Sequence, residues 1–345
     1  MPATDADAVA RLKAAGAIVF GKTNLPVLAA DVQTFNPLFG VTNNPWDRTR
    51  TPGGSSGGAA VAVAMGFTAF ELGSDSGGSI RTPSNWCGIY GHKPTYGIVP
   101  TRGHIPGMPG SRQSVDLNVT GPMARSAADL ALALDVLAGP TAEHATAWSL
   151  RLPQPRRERL QDYRIAVWLD DPCYPLDREV RAVLDAAITT LRRAGCQVDE
   201  ARPAVDLAAL VHTYLQLLMP ILMSGYPDAE FERFVELAAA FSPDDASFLA
   251  HTVRSGTARY RDWLHADEAR AQLRAVLADF FSRYDALLLP EAVVPAIPHD
   301  HTDPLAARQI MVNGAPAPYG HLFAWIALGW RVPQDCHGPL DGARA

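Results

Sequence analysis

The sequence predicts an α/β protein in which a mixed β-sheet core is flanked by α-helices. Two observations carry this. A helix–glycine–strand pattern appears near the start, in TDADAVARLKAAGAIVFGKTN, and returns in DREVRAVLDAAITTLRRAGCQVDEA. Apolar runs such as YRIAVWLDD and YDALLLPEAVV alternate with helical segments, as strands do in an α/β sheet. With 345 residues, of which 48% are hydrophobic and 19% charged, the chain can bury a large core and is too apolar for disorder. No repeat of solenoid period is present.

The first helix is expected to start at Thr4 as N-cap, with Asp7 three residues on. Ala8, Val9 and Leu12 form its apolar stripe, and Gly16 fits the position just past its end. Residues 17–20 (AIVF) then read as a buried strand. Residues 52–58 form a loop by composition. Residues 59–65 carry no charge on any face, so as a helix they should be buried all round. FTAFELG reads as a strand, and residues 92–125 as extended loops rich in Pro and Gly. SAADLALALDVLAG is a helix capped by Ser126, facing inward through Leu130, Leu134 and Leu137 and stopped by Gly139. Residues 141–162 connect to the strand YRIAVWLDD. A helical middle, about residues 207–277, leads into a buried strand at ALLLPEAVV.

Composition excludes several classes. The net charge is −6 and no basic run is interleaved with aromatics, so no nucleic-acid partner is expected. The four cysteines are scattered without a CxxC pair, which gives neither a disulfide framework nor a zinc site. The start of the chain shows no secretory pattern, and its longest apolar run, AAVAVAMG, is too short to span a bilayer. A cytoplasmic protein with no membrane partner is the expectation.

The stretch at 51–80, TPGGSSGGAAVAVAMGFTAFELGSDSGGSI, places serines twice among glycines. Neither cluster has the Lys-Ser/Thr pair of a P-loop or the G-x-G-x-x-G of a dinucleotide turn. Around Ser79 the glycine two positions later, which a nucleophile elbow requires, is missing. A Ser-His-Asp arrangement stays open, since no local feature selects one of the ten histidines; His92 is the nearest in sequence. Two tight turns with capping serines would explain either cluster singly.

GGSSGG, the Ala/Val helix, GSDSGGSIRTP and GHKPTYGIVPTRG together resemble the amidase signature family. The likeness extends upstream through GAIVFGKTNLP and FGVTNNPWDRTRTP, and downstream through VTGPMARSAADLALALDVLAG and YDALLLPEAVVPAIP. It covers about residues 5–330 as one domain, and it implies an amidase-signature-type mixed sheet. It also implies a hydrolase that cleaves a carboxylic amide to acid and ammonia or amine through an acyl-enzyme. Ser79 matches the nucleophile, Ser55 the bridging serine that follows a cis peptide bond, and Ser56 its neighbour in the hydrogen-bond network. The backbone N–H groups of Ser76, Gly77, Gly78 and Ser79 match the oxyanion hole. Preorganised backbone donors stabilise a tetrahedral oxyanion in a dry site, and glycines let consecutive N–H groups point one way. Asp75 and Arg81 are expected to brace this loop. The implied partner is a small-molecule amide, with no cofactor or metal and with a homodimer left open. QTFNPLFGVTNNPWD and WCGIYGHKPTYGIVPTRGHIPG look most like stand-alone bacterial amidases.

The general base of the family is a lysine on an upstream strand. This chain has only Lys13, Lys22 and Lys93, and none stands in that context. The catalytic lysine is therefore expected to be absent and activity impaired. The sequence after LFAWIALGW also leaves the family pattern, so both ends look cut short and residues 331–345 are expected to be disordered. The alternative is a catalytically inactive amidase-like fragment, or a binding or scaffold subunit.

Overall fold

The computed structural model of the chain describes residues 4–104, 113–245 and 247–329. The disordered tail expected at 331–345 lies outside the described residues, as do residues 105–112 of the Pro/Gly-rich stretch. The chain groups into two compact units, residues 4–160 with Ala296–His299, and Gln161–Pro295 with residues 300–329.

In the first unit, α1 (Asp7–Ala14) buries Ala8 and Leu12 against Ile98, Val99, Leu134 and Leu137, as the apolar stripe predicts. Thr4 does not cap it: Ala6 occupies the cap position without a side-chain bond. Arg102 holds the first turn instead, with its guanidinium on both Asp7 carboxylate oxygens and its carbonyl accepting from Asp7 N–H at 3.1 Å. Past Gly16, at φ +93°, the strand expected at 17–20 is not formed. Ile18 is 87% exposed and Phe20 75%, because this segment joins none of the sheets among the described residues. Hydrophobicity alone makes no strand; the ladder needs a neighbour.

A small hairpin, β1 (Phe35–Asn36) with β2 (Gly40–Val41), precedes α2 (Gly57–Ala64). Ala59, Ala60, Ala62 and Val63 are buried, as expected of an uncharged helix, but Met65 lies past the helix end and is exposed. Arg125 closes that end, donating from Nη1 to the carbonyls of Val63 at 2.8 Å and Thr68 at 2.9 Å.

Next come β3 (Phe70–Asp75), α3 (Arg81–Cys87), β4 (Tyr90–Gly91) and β5 (Val119–Ala124). The antiparallel sheet runs β3-β5-β4, with Gly73 opposite Gly121 and Asp75 opposite Val119. The loop expectation for 92–125 therefore fails at its end, where β5 is the fully buried central strand. Its Gly121-Pro122 pair imitates a loop in sequence. In the structure a side chain at Gly121 would run into the His92 carbonyl oxygen, so glycine serves a close backbone approach. The helix α4 (Ala127–Leu137) follows as predicted, with Ser126 Oγ accepting from Asp129 N–H at 3.1 Å and Leu130, Leu134 and Leu137 buried.

In the second unit, β6 (Arg164–Val167), α5 (Arg178–Arg193) and β7 (Gln197–Glu200) form a parallel βαβ unit. Asp177 caps α5, accepting from Glu179 N–H at 2.9 Å. The expected helical middle is α6 (Leu207–Met223), α7 (Asp228–Ala240), α8 (Phe248–Gly256) and α9 (Tyr260–Phe281). It returns to β8 (Ala286–Leu288), parallel to β6 on its other side and half-buried rather than buried. A hairpin of β9 (Gln309–Val312) and β10 (Ala315–Pro318) completes the unit. No helix among the described residues is long and apolar enough to cross a membrane.

Candidate active site

Both serine clusters lie in the first unit, at the two ends of the α2–β3 segment. GGSSGG leads into α2, so Ser55 and Ser56 stand at the entrance of that helix, with Ser56 in its cap position. SDSGGS leaves the end of β3 and turns into α3, which places Ser79 between strand and helix. The two loops are tied directly. Ser56 N–H donates to the Ser79 carbonyl at 3.1 Å, and Ser56 Oγ accepts from Ser74 N–H at 3.3 Å. Met123, Ile80, Ala59, Ala60 and Cys87 form the apolar floor beneath them.

The peptide bond between Gly54 and Ser55 is cis, as the resemblance implies for the bridging serine. Ser55 is buried and Ser79 half-buried. Neither side-chain hydroxyl bonds to another described residue, so both are uncommitted. The loop around Ser55 fits its surroundings through backbone contact. A Cβ at Gly54 would stand 2.6 Å from the Asp31 carbonyl oxygen and 2.9 Å from Gln33 N, closer than real side chains approach. Thr34 pins the same loop, donating from Oγ1 to the Gly53 carbonyl at 2.8 Å and accepting from Gly57 N–H at 3.2 Å. Nothing in the sequence around this lone threonine announces that role.

The second loop is folded around one carboxylate. Asp75, fully buried, accepts from the backbone N–H groups of Gly78 at 2.9 Å, Ile80 at 3.2 Å and Arg81 at 3.3 Å. It also takes Nε and Nη2 of Arg81, both at 2.9 Å. Burial by itself would raise this carboxyl; the Arg81 guanidinium and its hydrogen bonds outweigh burial and hold it below the ordinary carboxylate range. Asp75 is therefore an anion satisfied from several sides, and the bracing expected of the Asp75–Arg81 pair has this concrete form.

The same contacts bear on the four expected oxyanion donors. Gly78, at φ +96°, turns its N–H inward to Asp75. Ser76 makes other contacts, its Oγ donating to Asn118 Oδ1 at 3.2 Å. The N–H groups of Gly77 and Ser79 carry no hydrogen bond among the described residues, and the Ser76 contact to Asn118 is made by its side chain.

Of the lysines, Lys13 is exposed and paired with Asp5 at 2.7 Å, and Lys22 is exposed. Lys93, placed by sequence at a position without a catalytic role, is half-buried in this unit, and burial lowers its pKa to about 8. Cys87, under the serine loops, is pushed by burial up to about 12, which disfavours its thiolate. Among the described residues no group of three or more His, Cys, Asp or Glu could hold a metal ion.

Comparison with known proteins gives the family and the fold. The family model described as Amidase matches residues 1–319. A glutamyl-tRNA(Gln) amidotransferase subunit of Thermus thermophilus is 36% identical over 327 residues, covering 89% of this chain and 67% of that protein. The corresponding protein of Picosynechococcus is 32% identical, covering 84% and 63%. The crystal structure of its counterpart from Thermotoga maritima superposes with a TM-score of 0.71 at 27% identity, over 98% of this chain and 68% of that one. A bacterial aryl acylamidase of the amidase signature family shares the fold, with a TM-score of 0.72 at 21% identity over 97% and 67% of the two chains. The chain spans about two thirds of the length of the curated relatives it matches, 63% and 64% of two of them.

Proposed function

Because the chain belongs to the amidase signature family, we propose that it carries the nucleophilic half of an amidase site and transfers the acyl group of a small carboxylic amide to Ser79. The observation that carries this is the Ser56–Ser79 backbone bond, which joins the two serine loops while leaving the hydroxyls of Ser55 and Ser79 uncommitted.

In this reading Ser79 Oγ attacks the amide carbon as its proton leaves through Ser55 Oγ. The carbonyl oxygen becomes an oxyanion facing the N–H groups of Gly77 and Ser79, where preorganised donors cost no rearrangement at the moment of reaction. Collapse breaks the C–N bond and releases ammonia or amine with a proton. Water then cleaves the Ser79 ester to the free acid. The oxyanion role of Gly78 in this scheme is indirect: its N–H orients the loop through Asp75.

A hydroxyl is a weak nucleophile without a base beside it. None of the three lysines is hydrogen-bonded to Ser55 among the described residues, so within this 345-residue chain the proton passes from Ser55 to water. We therefore assign it slow turnover by itself. A cytoplasmic setting and a homodimer remain compatible with this reading.

Ammonia release from a panel of aliphatic and aryl amides tests it. The expected result is slow release that disappears in Ser79→Ala; release unchanged by that substitution overturns it. A second reading, in which the chain hands ammonia to a partner protein, is favoured by relatives described as amidotransferase subunits. It predicts ammonia release that rises when such a partner is supplied.

A further inference from the structure

The second unit holds a pair of histidines that the chemistry above does not use. His212 stands on α6 and His251 on α8, and their rings meet with centroids 4.0 Å apart and planes tilted by 50°. Nε2 of His251 is buried and has no hydrogen-bond partner among the described residues. Toward the C-terminal ends of the same two helices, Met223 of α6 fills the space beside Gly256 of α8, so closely that a side chain at Gly256 would run into it. The two helices are thus pinned at one end by an apolar contact and closed at the other by two imidazoles.

Such a contact does not tolerate two charges. Neutral imidazoles pack as aromatic rings do, whereas two imidazolium cations at this separation repel. Burial, and after it the neighbouring His212 and Arg254, brings the His251 pKa down to about 4, and burial lowers that of His212 as well. Both rings are therefore neutral at neutral pH. Arg254 of α8, held on the carbonyls of Asp245 at 2.9 Å and Ser242, adds to the repulsion. Asp244 and Asp245, from the connection after α7, and Asp262 of α9 border the cavity of about 520 Å³ that both rings line. On α6 the other ionisable side chain is Tyr214, and none of Asp228, Glu230, Glu232, Arg233 and Glu236 of α7 lines this cavity. A protonated ring has carboxylates to turn towards and space to turn into, but only by leaving its partner.

We propose that His212 and His251 form an acid-sensitive clasp between α6 and α8: in contact while neutral, they are driven apart as they take up protons, and α8 then opens from α6 about the Met223–Gly256 contact. The sign of the dependence follows from linkage. Released histidines bind protons near the ordinary value of 6.5 and the paired ones only at lower pH, so acid favours the open form. The clasp is fully closed above 6.5 and is lost as the pH falls from there towards about 4. It lies wholly in the second unit and stands or falls independently of the Ser79 chemistry.

The test is amide hydrogen exchange of the 345-residue chain at about pH 7 and about pH 5, either side of the ordinary histidine pKa. It is read as the rate in α8 divided by the rate in α5, a helix of the same unit without a histidine. Taking this ratio cancels the change of intrinsic exchange with pH. In the wild type the ratio should rise about tenfold on acidification, the scale set by an open form that binds protons more tightly than the closed one. In His251→Phe it should stay level, and in His212→Gln it should rise by clearly less than in the wild type. A wild-type ratio that does not change, including one kept level because α5 opens together with α8, overturns the inference. So does a full rise in either variant: in His251→Phe the acid response lies elsewhere, and in His212→Gln it belongs to His251 alone. If His251→Phe fails to fold, His212→Gln decides, since that side chain is exposed.

Discussion

The backbone N–H of Ser56 reaches the carbonyl of Ser79 at 3.1 Å, joining two loops that stand 23 residues apart in sequence. Through this bond the cap of α2 and the turn after β3 share one frame, and a shift of either serine displaces the other. A local fault in either loop should therefore reach the nucleophile, and the predictions below follow from that coupling.

Asp75→Asn should be among the most damaging single changes in the first unit. It removes the anion that gathers Gly78, Ile80 and Arg81 and breaks the ion pair with the Arg81 guanidinium. Breaking a buried ion pair from one side costs about 3–5 kcal/mol, so urea midpoints should fall well below those of Ser79→Ala, which removes only an uncommitted hydroxyl. The pH dependence has a defined sign. The folded carboxyl is held below its usual range, so its stabilisation is present above the unfolded pKa and is lost as the pH drops through the folded one.

Glu71 on β3 shows the opposite sign. Burial raises its carboxyl to about 7, so the folded chain holds a proton that the unfolded chain has released. Its contribution to stability is fully present below the unfolded pKa and is lost as pH rises through about 7. Glu71→Gln should melt higher than the wild type at alkaline pH and converge with it in acid. Equal melting temperatures in alkali would show that Glu71 ionises freely.

Gly54→Ala should cost stability out of proportion to one methyl group. Its Cβ would meet the backbone of Asp31 and Gln33 at 2.6 and 2.9 Å, and backbone cannot swing aside as a side-chain tip can. A penalty of about 1–3 kcal/mol is expected from such overpacking. Gly21→Ala, with nothing within 4 Å of the added carbon, is the matched control and should be close to neutral in thermal unfolding.

How much of this was legible in the sequence depended on whether the signal was local. Caps and stops are local, so Ser126 and Gly16 could be placed from neighbouring residues alone, but Thr4 failed because Arg102, distant in sequence, holds the first turn of α1. The serine loops were legible because their motif is long, and the cis bond at Gly54–Ser55 matched what the resemblance implied. Residues 17–20 were misjudged because strand formation depends on a partner that an apolar pattern cannot supply. β5 was hidden because Gly121 and Pro122 serve tight packing there, which composition cannot separate from a loop. The β9–β10 hairpin had a readable signal that went unused: Asn313-Gly314, at φ +54° and +85°, is the Asn-Gly pair of a two-residue turn. Thr34 had no signal at all. For Lys93, the residue type was visible but its burial was not, since that arises from strands distant in sequence.

The central claim is that Ser79 is the nucleophile and Ser55 its relay, and covalent labelling tests it most directly. The 345-residue chain treated with a fluorophosphonate, digested and mapped by mass spectrometry should carry one adduct, on the peptide containing Ser79. The adduct should vanish in Ser79→Ala and form about a hundredfold more slowly in Ser55→Ala, the scale of a lost proton-transfer partner. An adduct that persists in Ser79→Ala, or a Ser55→Ala chain that labels at the wild-type rate, would contradict the account.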